Sequence, residues 1–306
     1  MRANSAKGDA HLSADATPAT AANLTADRCG ACGAAVDYYA ELCPRCRQSV
    51  GVPNRRRAQR KDEVSALRAR YHEARQQLTA AGCAAVADQL EHELDGSRAV
   101  VNLPAAFLRD FLDKENTLYN SYKALTDAGQ RKHAEEADHR KRSEVEAKLF
   151  PGYEDKIIYA AVALDGRGLH SYGEYVLLID DVVTTHRASV LETNSYRLVE
   201  LLQVPLGADI PPGHRATWED RKWLIVAKIA NRLTSATTPA EFPRLLLFCS
   251  NSRETDEFVE VHIYGSLDIQ CFQTVIGPRR PRPGQMRLHS EIKDRVLGLR
   301  KSWNET

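Results

Sequence analysis

Between residues 29 and 46 the chain reads CGACGAAVDYYAELCPRC, two Cys-x-x-Cys pairs, Cys29/Cys32 and Cys43/Cys46, separated by ten residues. No other feature constrains the fold as tightly. A Cys-x-x-Cys turn aims two sulfurs at one point, and thiolates bind zinc at about 2.3 Å in a tetrahedron. Two such turns joined by a short hairpin therefore close a four-sulfur shell. A redox role for either pair needs a thioredoxin-like setting, and the flanking sequence supplies none. Four of the seven cysteines lie in this metal spacing, which fits a reducing compartment. With no apolar run long enough to span a bilayer and no secretory leader at its start, the chain reads as cytoplasmic, without a membrane partner.

Cys29-Gly-Ala-Cys32-Gly33, a polar and aromatic span, and then Cys43-Pro44-Arg45-Cys46 resemble the short prokaryotic zinc ribbons, in which a CxxCG knuckle precedes a CPxC knuckle. The resemblance is confined to residues 29–46. It implies a closed structural zinc site with Cys29, Cys32, Cys43 and Cys46 as ligands. In one place the chain departs from the pattern: the residue after the second knuckle is Arg47 rather than Gly, which implies a less tight second turn.

Around this module the expected organisation has five parts. Residues 1–27 are Ala-, Thr-, Ser- and Asp-rich without periodicity and read as a disordered tail. Residues 28–50 are the ribbon and 51–61 a basic linker. A helical region spans 62–150, where Val64, Leu67, Tyr71, Ala74 and Leu78 recur at three- and four-residue steps. Residues 151–306 form an α+β effector domain. In it, 174–183 and 244–249 read as strands buried on both faces. A helix over 217–233 with Thr217 as N-cap lies between them, two strands follow around 257–277, and a helix closes the chain. The fold class is thus α+β: zinc ribbon, helical middle, and a C-terminal mixed sheet with packed helices.

The net charge of +1 is unevenly placed, since residues 1–61 carry ten Lys or Arg against five Asp or Glu. Arg55, Arg56, Arg57, Arg60 and Lys61 could bind phosphates of a nucleic acid, with Tyr38 and Tyr39 as stacking faces. Alternatively the run is a solvated linker and the tyrosines fill the ribbon core.

In the C-terminal region Glu260, His262 and Tyr264 alternate with Val259, Val261 and Ile263. On a strand this period puts the three polar side chains on one face. There they serve either acid–base chemistry or the wet face of an edge strand. Two further polar clusters flank the first strand: His170, Ser171 and Tyr172 before it, and Arg187, Ser189, Glu192, Asn194 and Ser195 after it. No phosphate-binding P-loop, dinucleotide-binding glycine motif, nucleophile elbow or second metal motif occurs.

The order of an Arg, a Ser-bearing segment and a Glu on a later strand resembles ADP-ribosyltransferase folds. That resemblance implies NAD gripped by Arg187 and supported by Ser189 or Ser195, with His170 and Tyr172 beside it, and Glu260 as the catalytic carboxylate. The chain departs from the pattern at Phe258, where a Gln or Glu is expected. The implied activity is an NAD-dependent transferase acting on a macromolecular target. Two alternatives stand beside it: a metal-independent nuclease using His262 and Arg187, and a non-enzymatic zinc-ribbon adaptor.

Overall fold

The computed structural model describes residues 27–113, 117–129, 136–205, 208–250, 252–253 and 255–306; nearly all of the segment expected as a disordered tail lies outside them. In chain order the strands are β1 (Asp27–Arg28), β2 (Ala35–Val36), β3 (Arg98–Leu103), β4 (Ile157–Ala163), β5 (Tyr175–Ile179), β6 (Ala188–Leu191), β7 (Arg215–Thr217), β8 (Glu260–Tyr264), β9 (Phe272–Gly277) and β10 (Ser302–Glu305). The helices are α1 (Pro53–Ala58), α2 (Lys61–Ala80), α3 (Ala84–Asp95), α4 (Ala105–Leu112), α5 (Tyr122–Asp127), α6 (Glu136–Leu149), α7 (Asp181–Arg187), α8 (Ser195–Leu201), α9 (Arg221–Ile229), α10 (Phe242–Leu246) and α11 (Met286–Gly298).

The fold is α+β. Strands β1 and β2 make the ribbon hairpin, and the other eight form one mixed sheet in the order β10-β9-β5-β3-β4-β8-β6-β7. Its neighbours are antiparallel except for the parallel β10/β9 pair. Both faces are covered. Ala99, Val101, Ile158, Ala160, Val162, Val259, Val261 and Ile263 enter the main core with residues of α2, α3, α4, α9 and α11. On the opposite face, Tyr159 and Tyr264 join a second cluster under α6 and α8. Val100, Ala161 and Val176 join a third with Leu169 and Phe258.

Three expectations are corrected. Residues 98–103 lie in the stretch expected to be helical, yet form β3, an interior strand that joins the same sheet as the C-terminal strands. Ala99, Val100, Val101 and Leu103 are buried, and an apolar run with material on both faces is what an interior strand requires. Residues 244–249, expected as a strand, enter helix α10 instead. Pro243 occupies its first turn, after a Thr238/Glu241 capping box, and only Phe248 makes a bridge, to Glu257. Thr217 ends β7 rather than capping a helix, although its hydroxyl accepts the Asp220 N–H at 3.3 Å, and α9 begins at Arg221.

The basic segment folds back into the molecule. Arg56 forms an ion pair with Asp27 at 3.0 Å and donates to the carbonyls of Asp37, Tyr38, Ala40 and Gly51, so one guanidinium staples the ribbon to α1. Arg57, 2% exposed, donates to the Leu149 carbonyl and pairs with Asp209 at 2.5 Å. Arg55 pairs with Glu219, while Lys61 is exposed. Tyr38 packs beside the second cluster rather than in the ribbon core, and that core consists of Cys29, Val36 and Cys43.

Candidate functional site

The four sulfurs of Cys29, Cys32, Cys43 and Cys46 lie within 4.8 Å of one another. Sγ–Sγ separations of 3.6 Å join Cys29 to Cys46 and Cys32 to Cys43. A tetrahedron with bonds of about 2.3 Å has edges of about 3.8 Å, so the donor set fits zinc. The two knuckles share one hydrogen-bond plan. Gly33 N–H donates to Cys29 O at 2.9 Å and Arg47 N–H to Cys43 O at 3.0 Å; Cys29 N–H donates to Ala34 O and Cys43 N–H to Gln48 O, both at 2.9 Å. Arg47 takes φ +61°, matching the +70° of Gly33. The second turn therefore closes as tightly as the first, against the expectation for a non-Gly residue, because the local hydrogen bonds hold the left-handed conformation. Backbone N–H groups aim at the sulfurs. That of Cys46, with Arg45 adding, brings the Cys43 thiol down to about 6, and those of Cys32 and Ala31 lower Cys29. Cys32 and Cys46 shift the other way, Cys32 to about 12, because against the backbone N–H groups of Ala34 and Gln48 burial and the neighbouring thiols prevail.

A second feature is a cavity of about 910 Å³ lined by residues of β3 and β4 from both faces of the sheet, within the size range of small-ligand sites. Its walls come from β3, β4, α6, the start of α8 and the loops around Tyr172 and Arg253. Glu260 of β8 faces it. Strand β8 is an interior strand between β4 and β6, so the polar row Glu260, His262, Tyr264 is not a wet edge; all three are buried.

The structure brings Glu260, Ser195 and His262 together. Glu260 Oε2 accepts the Ser195 N–H at 2.9 Å, the Ser195 hydroxyl and His262 Nε2–H at 3.0 Å. His262 Nδ1 is buried without a partner; a hydrogen there would be an orphaned donor, so the ring is satisfied with its hydrogen on Nε2. The imidazole is clamped edge-to-face by Phe150 and Tyr159, with centroids 4.7 and 5.3 Å away. The Ser195 Oγ also lies 3.3 Å from His262 Nε2. Ser195 and His262 meet the same carboxylate oxygen, and neither lines the cavity. They position Glu260, whose Oε1 has no hydrogen-bond partner among the described residues and is not sealed off.

The other sequence-predicted residues are apart from this group. Arg187 donates to the carbonyls of Tyr264 at 2.7 Å and Ser266 at 2.6 Å, which ties α7 to the end of β8. Ser189 is buried and accepts from Asn54 Nδ2 at 3.3 Å. His170 is exposed on the loop between β4 and β5. Tyr172 does line the cavity, with the Arg253 guanidinium 4.8 Å from its ring centre. The Arg–Ser–Glu cluster of a transferase is thus not assembled around Arg187.

Several lining residues escaped the sequence reading. Arg142 and Glu146 pair at 2.7 Å across one turn of α6, and Arg142 lies over the rings of Tyr122 and Tyr159 at 4.2 and 5.0 Å. Lys141 pairs with Glu200 at 2.6 Å. Asp256 is buried and accepts from Ser250 and Ser171. Burial drives the Tyr159 phenol well above its ordinary value. Burial and then the Glu260 charge push Tyr172 to about 12. The Arg142/Glu146 spacing was visible in sequence, but its charged helix gave no sign of which side faces inward. No family model and no curated protein matches the chain.

Proposed function

We propose that the protein binds a small organic ligand through a cationic group in the cavity beside Glu260, and that the zinc ribbon is a structural clamp. The observation that carries this reading is the state of Glu260: one carboxylate oxygen is fixed by three donors, the other has no hydrogen-bond partner among the described residues, and the residue lines the cavity. Glu146 and Glu200 on the same walls have Arg and Lys partners, and Asp256 is held by hydroxyls and an amide. Among the described residues Glu260 has no Lys or Arg partner. A preorganised carboxylate flanked by the aromatic rings of Tyr159 and Tyr172 suits an organic cation, which gains both charge pairing and attraction to ring faces. A ligand cation also supplies the counter-charge that the buried carboxylate lacks.

The ribbon supports this site from a distance. Tyr264, two residues beyond His262 on β8, donates its hydroxyl to Glu41 of the ribbon at 2.7 Å. A transferase reading would place NAD phosphates on a cation near Glu260, and Arg187 is engaged by carbonyls elsewhere; binding without group transfer needs no such residue. The test is isothermal titration of the zinc-loaded full chain with benzamidinium. Saturable binding that weakens at least tenfold in Glu260→Gln is expected. No binding by the wild type, or equal affinity in the variant, would overturn the proposal.

A further inference from the structure

Strands β3 and β4 are paired over only part of their length. Their antiparallel register runs Arg98↔Ala163, Ala99↔Val162 and Val100↔Ala161 and stops. The next positions in that register, Val101 with Ala160, Asn102 with Tyr159 and Leu103 with Ile158, are not paired with each other. Each strand keeps its outer neighbour: Val101, Asn102 and Leu103 pair with β5, and Ile158, Tyr159 and Ala160 pair with β8. All six residues line the cavity. The sheet is therefore split from Val100/Ala161 onward, and the cavity occupies the split.

Backbone groups along a strand point alternately to its two sides. Val162 N–H donates to Val259 O on the β8 side at 3.0 Å, so Ile158 and Ala160 also address β8, and Tyr159 addresses β3. By the same alternation Asn102 addresses β4. The N–H and C=O of Asn102 and of Tyr159 thus face each other across the cavity, at the positions where the β3/β4 register does not continue. Two facing donor–acceptor pairs, on two strands that already have outer partners, form a socket for a third extended backbone.

We infer that the split between β3 and β4 binds a short extended peptide carrying a Lys or Arg side chain, which inserts as an extra strand between Asn102 and Tyr159. The inference rests on the cation-binding reading and assigns its ligand class. An extended peptide offers N–H and C=O on both sides, as the socket requires. The peptide residue paired with Tyr159 sends its side chain to the same sheet face as Tyr159. Glu260 stands on that face of β8, two strand spacings or roughly 10 Å away, a span that a long basic side chain and the Glu260 side chain cover together. The walls offer apolar contact from Phe107 and Leu169 to the flanking residues.

The experiment titrates zinc-loaded full-length protein with acetyl-Val-Lys-Val-methylamide, with the same peptide methylated on its backbone nitrogens, and with benzamidinium. Hydrogen exchange of the Asn102 and Tyr159 amides is followed in parallel. The expected result is that backbone methylation weakens binding at least tenfold, that Glu260→Gln weakens the unmethylated peptide similarly, and that both amides gain protection. Equal binding of the two peptides, or binding of benzamidinium but of neither peptide, overturns strand insertion and leaves cation binding at Glu260 standing. Failure of all three probes overturns both.

Discussion

The backbone N–H and the hydroxyl of Ser195 both donate to one oxygen of Glu260, Oε2, across 65 residues of sequence. The N-terminus of α8 is thereby fastened to the centre of the sheet, and a carboxylate is held still at the edge of a cavity. Ser195→Ala removes one donor from a buried carboxylate and should cost about 1–3 kcal/mol in urea unfolding. Glu260→Gln keeps an acceptor oxygen for the same three donors, so its cost should stay below about 1 kcal/mol. If Glu260→Gln proves the more destabilising of the two, the carboxylate is a structural charge and the assignment of its free oxygen to a ligand is wrong.

Metal removal separates the ribbon from the body. The ribbon core contains Cys29, Val36 and Cys43, too little apolar burial to hold a hairpin by itself, so an ion held by the four thiolates would supply its folding free energy. A chelator should abolish amide protection over residues 27–50 while β4 and β8 keep theirs, and should lower the melting temperature by several degrees. Unchanged protection of Cys29 and Cys43 amides after complete metal loss would show that the thiols close the hairpin unaided.

What could be read from the sequence follows from how local each signal is. The cysteine cluster was legible because four ligands within 18 positions leave little choice of partner. The alternation of Glu260, His262 and Tyr264 placed them on one face, as observed, yet could not say that α6 and α8 cover that face. Ser195 and Glu260 were both singled out, but their contact depends on a turn after β6 that sequence does not specify. Arg187 carried the same chemical promise and was turned to carbonyls of Tyr264 and Ser266 by the docking of α7 against β8. Residues 98–103 were missed because a short stretch with four apolar residues of six, between a helix stop and a proline, has no period of its own. The split beside Asn102 and Tyr159 is a register event between residues 57 positions apart in the chain, beyond any local pattern.

Arg47 offers a test by a small change. It holds φ +61°, where a side chain costs roughly 1 kcal/mol relative to glycine, and it makes the same backbone bond as Gly33. Arg47→Gly should strengthen the zinc-bound ribbon by up to about 1 kcal/mol, read as slower metal release to a competing chelator. Faster release in the variant would mean that the Arg47 side chain contributes contacts outweighing its backbone strain.

Asp209 gives a prediction in pH. Burial alone would raise its carboxyl, but Arg215 and Arg57 prevail and hold it down to about 2. An unfolded carboxyl of this type titrates near 3.9, so the folded state binds its proton later. The resulting stability is fully present above about pH 4 and is lost as pH falls through 2, amounting to about 2–3 kcal/mol. Asp209→Asn should remove this part of the acid limb, seen as a flatter fall in urea midpoint between pH 4 and pH 2. At neutral pH the same variant leaves Arg57, 2% exposed, without its counter-charge, and should cost about 3–5 kcal/mol. Arg57→Met, which removes the buried cation rather than its partner, should cost less at neutral pH. An acid limb in Asp209→Asn parallel to that of the wild type would assign the transition to other carboxylates and remove the pair from the account of how α1 is held.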